Sequence, residues 1–191
     1  MLKDFVKAEK PQDEELKQRI KEAGEKLAGQ QNQIKEHKIP VLVLMEGWGT
    51  AGEGSLIGEV IKYLDPRFFK VATMNVPTEE EKRKPFLYRY FQKFMFLDTG
   101  WMDEITRQRL NGEMDDKVYE QRLESVRNFE RQLTDNGYVV LKFFCHISEK
   151  EQKKRIHELE GSIDTKWRIG AYDEWQNKHY EKCLKVYDRY M

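Results

Sequence analysis

The residues with the clearest chemical potential lie between Ile39 and Leu64, which read IPVLVLMEGWGTAGEGSLIGEVIKYL. A short apolar run predicts a buried strand, the glycine-rich segment a turn, and the apolar residues after it recur at helical spacing. Gly47 and Gly52 are separated by four residues, an interval that lets a loop turn its backbone N–H groups inward around phosphate oxygens. A helix opening near Gly54 and Ser55 adds the positive end of its dipole. Gly47, Gly49, Gly52, Glu53, Gly54 and Ser55 are therefore the candidate phosphate-binding positions. The same pattern calls for a lysine after the second glycine, and that position is Glu53. An anion there opposes the charge that phosphoryl transfer must neutralise. A purely structural role, as a tight strand-to-helix turn, is the competing explanation of these glycines.

A second apolar run, Phe94 to Asp98, ends in a carboxylate. A strand-end acid of this kind organises magnesium in phosphate-transferring α/β folds, which makes Asp98 the candidate catalytic and metal residue. Lys153, Lys154 and Arg155 form a basic run suited to holding a polyanion, although Glu151, Glu158, Glu160 and Asp164 nearly balance it. His146 and His157 have no partners at metal-ligand spacing and read as structural or surface groups. Cys145 and Cys183 read as reduced structural thiols, Cys145 within a buried strand. Neither Gly-x-Ser-x-Gly nor His-Glu-x-x-His occurs, so serine-hydrolase and zinc-protease chemistry gain no support.

These groups need a scaffold, and the apolar pattern supplies one. Leu16, Ile20, Ala23, Leu27, Gln31 and Ile34 form a narrow helical stripe behind acidic residues, an outer helix that divides an extension (1–38) from the main domain (39–191). Phe68 to Val76 predicts the next strand. Thr78 caps a helix with Glu81 three residues on, and Pro85, Phe86, Leu87, Tyr90 and Phe91 continue it. Between Phe91 and the strand at Phe94 stand only Gln92 and Lys93, fewer than helix-to-strand returns usually need, so the native protein is expected to carry more residues there. A long helical region from Ile105 to Leu133 breaks near Asn111-Gly112 and stops at Asn136-Gly137. The run YVVLKFFCHI is a fourth strand, Ser148 caps the following helix, and a last helix holds Tyr172, Trp175, His179, Leu184 and Tyr187. Alternating strands and helices predict a three-layer α/β fold: a parallel sheet with helices on both faces, and the site beyond the strands' carboxyl ends.

The length of 191 residues suits one ordinary core, and 34 Lys plus Arg against 34 Asp plus Glu leave a formal net charge of +0. Such balance argues against a general nucleic-acid or membrane binder, so an anion site must be local. The longest apolar run is too short to cross a bilayer and the N-terminus lacks a signal-peptide core, which predicts a cytoplasmic protein.

Five segments taken together, EGWGTAGEGSLIGEVIKYLDPRFFKV, VPTEEEKRKPFLYRYF, FLDTGWM, FERQLTDNGYVVLKFFCHISEKEQKKRI and WQNKHYEKCLKVYD, resemble the polyphosphate kinase 2 family in order and over the stretch from Ile39 onward. The resemblance implies a thymidylate-kinase-like P-loop fold that moves phosphoryl groups between inorganic polyphosphate and nucleotides with magnesium. It also implies a basic lid over the polyphosphate, the role that would fall to Lys153, Lys154 and Arg155. Against the family's loop, roughly Gly-Trp-Asp-x-x-Gly-Lys-Gly, this chain has Gly49 for the aspartate and Glu53 for the lysine. Against Asp-Arg-Ser-Trp-Tyr it has Asp98, Thr99, Gly100, Trp101 and Met102, losing the arginine. Packing residues are retained while charged participants are lost, as in the degenerate first domain of two-domain members. The expectation is a module with weak or lost binding of polyphosphate and nucleotide that supports or regulates an active domain, as a homo-oligomer or paired with a second such domain. An active polyphosphate:AMP or polyphosphate:ADP phosphotransferase is the alternative.

Overall fold

The computed structural model describes residues 2–5, 11–74, 77–90 and 96–191. Its sheet has four strands, β1 (Val41–Gly47), β2 (Val71–Thr73), β3 (Phe96–Asp98) and β4 (Val139–Cys145), in the order β2-β3-β1-β4. All pairings are parallel, with Met45 opposite Asp98 and Gly47 opposite Cys145. The glycine loop and Asp98 thus leave the sheet side by side, as the strand–loop–helix pattern required.

Helices α1 (Asp13–Glu36), α2 (Glu53–Ile61), α3 (Glu79–Lys82), α4 (Trp101–Leu110), α5 (Asp116–Asp135), α6 (Glu149–Glu160), α7 (Ala171–Lys178) and α8 (Tyr180–Tyr190) surround it. One face of the sheet packs Leu42, Leu44 and Leu97 against residues of α4, α5 and α8, where Trp101, Tyr119 and Tyr187 are all but inaccessible. The opposite face is smaller: Val43, Met45 and Phe96 meet Ile57, Val60 and Ile61 of α2. No helix among the described residues is long and apolar enough to cross a membrane.

Several elements depart from the sequence pattern for local reasons. The Thr78 capping box forms, but α3 ends at Lys82, and Phe86–Tyr90 make a separate 3-10 turn beyond Pro85, whose missing N–H cannot continue the ladder. The second strand shortens to Val71–Thr73 because Asp65 and Pro66 start a 3-10 turn through Phe68. The helix read as one after Gly170 is two, α7 and α8, parted at His179. Strand β4 is an edge strand rather than a buried one: Val139, Leu141 and Phe143 are 42%, 43% and 49% exposed, since α2 lies over β1 and β3 and its cluster takes in β4 at Cys145. The apolar stripe of α1 is half-buried, with Leu16, Leu27 and Ile34 partly covered and Ile20 and Ala23 exposed, and the helix touches the domain through Gly24 against Tyr63 and Gln31 against Asp65. The junction between Phe91 and Phe94 lies outside the described residues.

Candidate phosphate site

The loop is held from behind by its one aromatic side chain. Trp48 is fully buried, stacks on Tyr180 with ring centroids 4.0 Å apart, and donates through Nε1 to His146 Nδ1 at 2.9 Å. His146 is therefore structural, as its sequence context suggested. Beside Trp48, Gly49 is fastened on both backbone groups: its N–H donates to Gln176 Oε1 at 2.9 Å, and its carbonyl accepts from Gln152 Nε2 at 3.1 Å. Gln152 and Gln176 are buried and bonded to each other, and Asn177 donates to Gln152 Oε1, which satisfies the polar atoms that burial would otherwise penalise. A Cβ at position 49 would clash with Asp173 Oδ1, so a larger residue there would have to displace the α7 carboxylate.

In front of the loop the charges converge. Gly47, Gly49, Glu53 and Asp98 line one cavity of about 130 Å³, joined by Arg107 from α4 and Asp173 from α7. Gly52, at φ 105°, is in the left-handed region and delivers the chain into α2. The first residue of α2 is Glu53, and its Oε2 accepts the Gly52 N–H at 3.0 Å. The carboxylate thus occupies the loop's own donors instead of reaching to solvent. Burial pushes its carboxyl up to about 7, the N–H groups of Glu53 and Gly52 oppose the rise, and Asp98 and Asp173 add to it. Burial also raises Asp98, which accepts from Thr73 Oγ1 at 3.4 Å, and Asp173, whose Oδ2 accepts the Gly170 N–H at 2.8 Å.

Two β-branched residues sit at positive φ in the two loops, Thr50 at 63° and Thr99 at 62°, conformations that cost such side chains stability. Ser55 and Gly54 are exposed on the first turn of α2 and stand outside the cavity. The basic run divides. Arg155 Nη1 donates to the carbonyls of Thr50 and Ala51, tying α6 to the loop, whereas Lys153 and Lys154 are exposed and Lys154 pairs with Glu158 at 3.6 Å. Arg155, read from the sequence as part of a basic lid over a polyanion, here bonds to the loop carbonyls and to Glu151. Both cysteines are free thiols pushed up to about 11 by burial, and Cys145 is half-buried.

Sequence reasoning missed four groups. Glu46, buried at the end of β1, accepts the Met102 N–H at 3.0 Å and so caps α4 from another element; burial raises its carboxyl to about 7. A charge closing an apolar strand was its signal. Arg107 follows Asp103 at i+4, a spacing common on solvated helices. Asp173 stands three residues after Gly170, the position of a helix-capping acid. Gln176 carried no signal at all.

A second cavity of about 700 Å³ adjoins the first, lined in part by Glu81, Arg89, Tyr90, Glu104 and Arg122. Tyr90 donates to Glu104 at 2.9 Å, and Arg89 lies 3.6 Å from the same carboxylate. That volume suits a nucleotide-sized group. Among the described residues no three His, Cys, Asp or Glu side chains form a preformed metal cage. Magnesium needs only one or two carboxylates when waters and phosphates complete its shell, and the small cavity is lined by two aspartates, Asp98 and Asp173.

A glycine loop between a central parallel strand and a helix, beside a strand-end acid, defines a P-loop-kinase-like α/β domain. The family model for polyphosphate kinase 2 matches residues 10–191, and the chain belongs to that family. It is 30% identical over 158 residues to the polyphosphate:AMP phosphotransferase of Pseudomonas syringae pv. tomato, covering 80% of this chain and 32% of that protein. It is 26% identical to ADP-polyphosphate phosphotransferase 3 of Rhizobium meliloti, covering 86% of this chain and 60% of that one. The chain therefore spans a third to three fifths of these relatives. A polyphosphate kinase 2 crystal structure from Pseudomonas aeruginosa superposes with a TM-score of 0.89 at 23% identity, over 99% of this chain and 42% of that one. One from Arthrobacter aurescens gives 0.82 at 23% identity, over 90% and 64%.

Proposed function

We propose that this chain is a phosphoryl-chain-binding module of polyphosphate and nucleotide metabolism that holds its ligand weakly and transfers little by itself, acting beside a competent domain of the same family. The observation that carries this is Glu53, a carboxylate bonded to the Gly52 N–H in the loop where a cation would meet terminal phosphates. Magnesium, when bound, would supply positive charge that neutralises the phosphoryl chain and offsets the surrounding carboxylates. Asp98 and Asp173 are the residues that would hold it, and the Gln152–Gln176 pair fastens both backbone groups of Gly49 and so supports the loop. An intracellular site of action follows from the substrates proposed.

A working phosphotransferase is the second reading, favoured by the activities named for both relatives above. A coupled assay with magnesium, polyphosphate and AMP or ADP separates the two. The purified chain is expected to turn over at background, and Glu53→Lys to strengthen phosphate-chain binding by about tenfold or more, since it converts repulsion to attraction at close range. Robust turnover by the unaltered chain would establish the second reading instead.

A further inference from the structure

Arg107 lines both cavities. It is the single Lys or Arg among the described residues around the smaller one, whose carboxyl groups are Glu46, Glu53, Asp98, Asp103 and Asp173. Its guanidinium is fixed in two ways. Nη2 donates to both carboxylate oxygens of Asp103, at 3.1 and 2.9 Å, and Cζ sits 3.8 Å from the centroid of the Tyr172 ring. Those contacts use one nitrogen and one face, leaving the donors of Nε and Nη1 for another acceptor. A planar, stacked and tethered guanidinium has little rotamer freedom left to lose and matches the oxygens of a phosphate.

Lys82, Lys84, Arg89 and Arg122 line the larger cavity only, and the basic run of α6 does not compete for the role. Arg155 is spent on the carbonyls of Thr50 and Ala51, and Lys153 and Lys154 stand exposed on α6 outside both cavities. We propose that Arg107 is the phosphoryl-binding cation of this chain, taking the oxygens of a phosphate placed where the small loop cavity opens toward the larger one. This rests on the phosphate reading of the site above. With five carboxyl groups facing one guanidinium, a bare polyanion is disfavoured, so the ligand class is the magnesium complex of a linear phosphoryl chain, whose metal the carboxylates attract while Arg107 takes the oxygens. The role falls to a residue from the last half of α4, a helix that the loop motif does not include.

The test is titration calorimetry of magnesium tripolyphosphate into the full chain, comparing the unaltered protein with R107Q, R107K and the double variant K153Q/K154Q, each checked for a cooperative melt. R107Q is expected to weaken binding by about tenfold or more, the loss of one charge-assisted contact, and K153Q/K154Q by less than about twofold. R107K keeps the charge but loses the planar fork and the Tyr172 stack, and is expected to fall between. Should R107Q not fold, R107K alone decides: unchanged affinity overturns the proposal. Full affinity in folded R107Q, or a larger loss in K153Q/K154Q, also overturns it while leaving the site reading intact. No binding by the unaltered chain overturns the site reading itself and the proposal with it.

Discussion

The two sides of the glycine loop obey opposite rules. Behind it, Trp48, Tyr180, Tyr187, Gln152 and Gln176 are buried with their polar atoms bonded, and the ring of Trp48 is held on two sides by other aromatics. In front, Glu53, Asp98 and Asp173 share a small cavity, burial raises the proton affinity of all three, Asp98 and Asp173 add to the rise at Glu53, and two threonines carry strained backbones. The rear is what a stable core looks like; the front is tolerated because the rear over-determines it. The fold can therefore persist while its phosphate-facing charges change.

The largest expected effect tests the rear. Trp48→Ala should destabilise the chain by about 3–5 kcal/mol in chemical denaturation, since a fully buried indole is lost together with its bond to His146. Between pH 7 and 8, where His146 is neutral, its stability should nonetheless keep the fall with pH that the buried carboxyls impose; loss of that fall would mean that the two sides are not separable.

An intermediate effect belongs to the front. Because the Glu53 carboxyl lies near 7 in the folded chain and at 4.5 when unfolded, the folded state binds more protons between those values, and stability falls as pH rises through them. Glu53→Gln removes that penalty, so its melting temperature should exceed that of the unaltered chain at pH 8, by the equivalent of about 1–3 kcal/mol. The advantage should vanish below about pH 4.5, where both proteins are neutral at this position. Glu46, raised to about 7 by its own burial, leaves a residual slope of the same sign in the variant. A variant less stable at pH 8 would show Glu53 to be a net structural asset.

The smallest effect sharpens the boundary between the two sides. Thr50, at φ 63°, has a buried Oγ1 without a hydrogen-bond partner, so Thr50→Gly should raise stability by about 1 kcal/mol in the same denaturation series. A loss would place Thr50 with the supporting rear of the loop.

Much of this scaffold was legible because it is local. The VLVLM strand, the glycines after it, the Thr78–Glu81 capping box and the stop at Asn136-Gly137 are each written within a few residues, and all appear where read. The parallel adjacency of β1 and β3 followed from requiring the loop and Asp98 to meet. What escaped is non-local. Arg107 and Asp103 look like an ordinary solvated i,i+4 pair, and only the approach of Tyr172 and the loop turns them toward a cavity. Arg155 looked like one more lid cation because nothing in KKRI tells that its guanidinium finds the carbonyls of Thr50 and Ala51. The exposure of β4 was hidden for the converse reason: VVLKFFC is apolar enough for a buried strand, and its place at the sheet edge is a property of topology rather than composition.

The pairing of Gly47 with Cys145 bears on the order in which the chain acquires its form. Strand β1 cannot complete its ladder until β4 is made, about a hundred residues later, and such distant parallel pairings are slow to close. Trp48 donates its backbone N–H to the Cys145 carbonyl, and Gly49 waits longer still, for glutamines on α6 and α7. During synthesis the VLVLM segment therefore emerges early as an unsatisfied apolar strand, sticky toward other chains, while the glycine turn beside it has no fixed shape. The loop is translated well before β4, α6 and α7 and is among the last segments to be set, so a kinetic probe at Trp48 should report the slow, final phase of refolding.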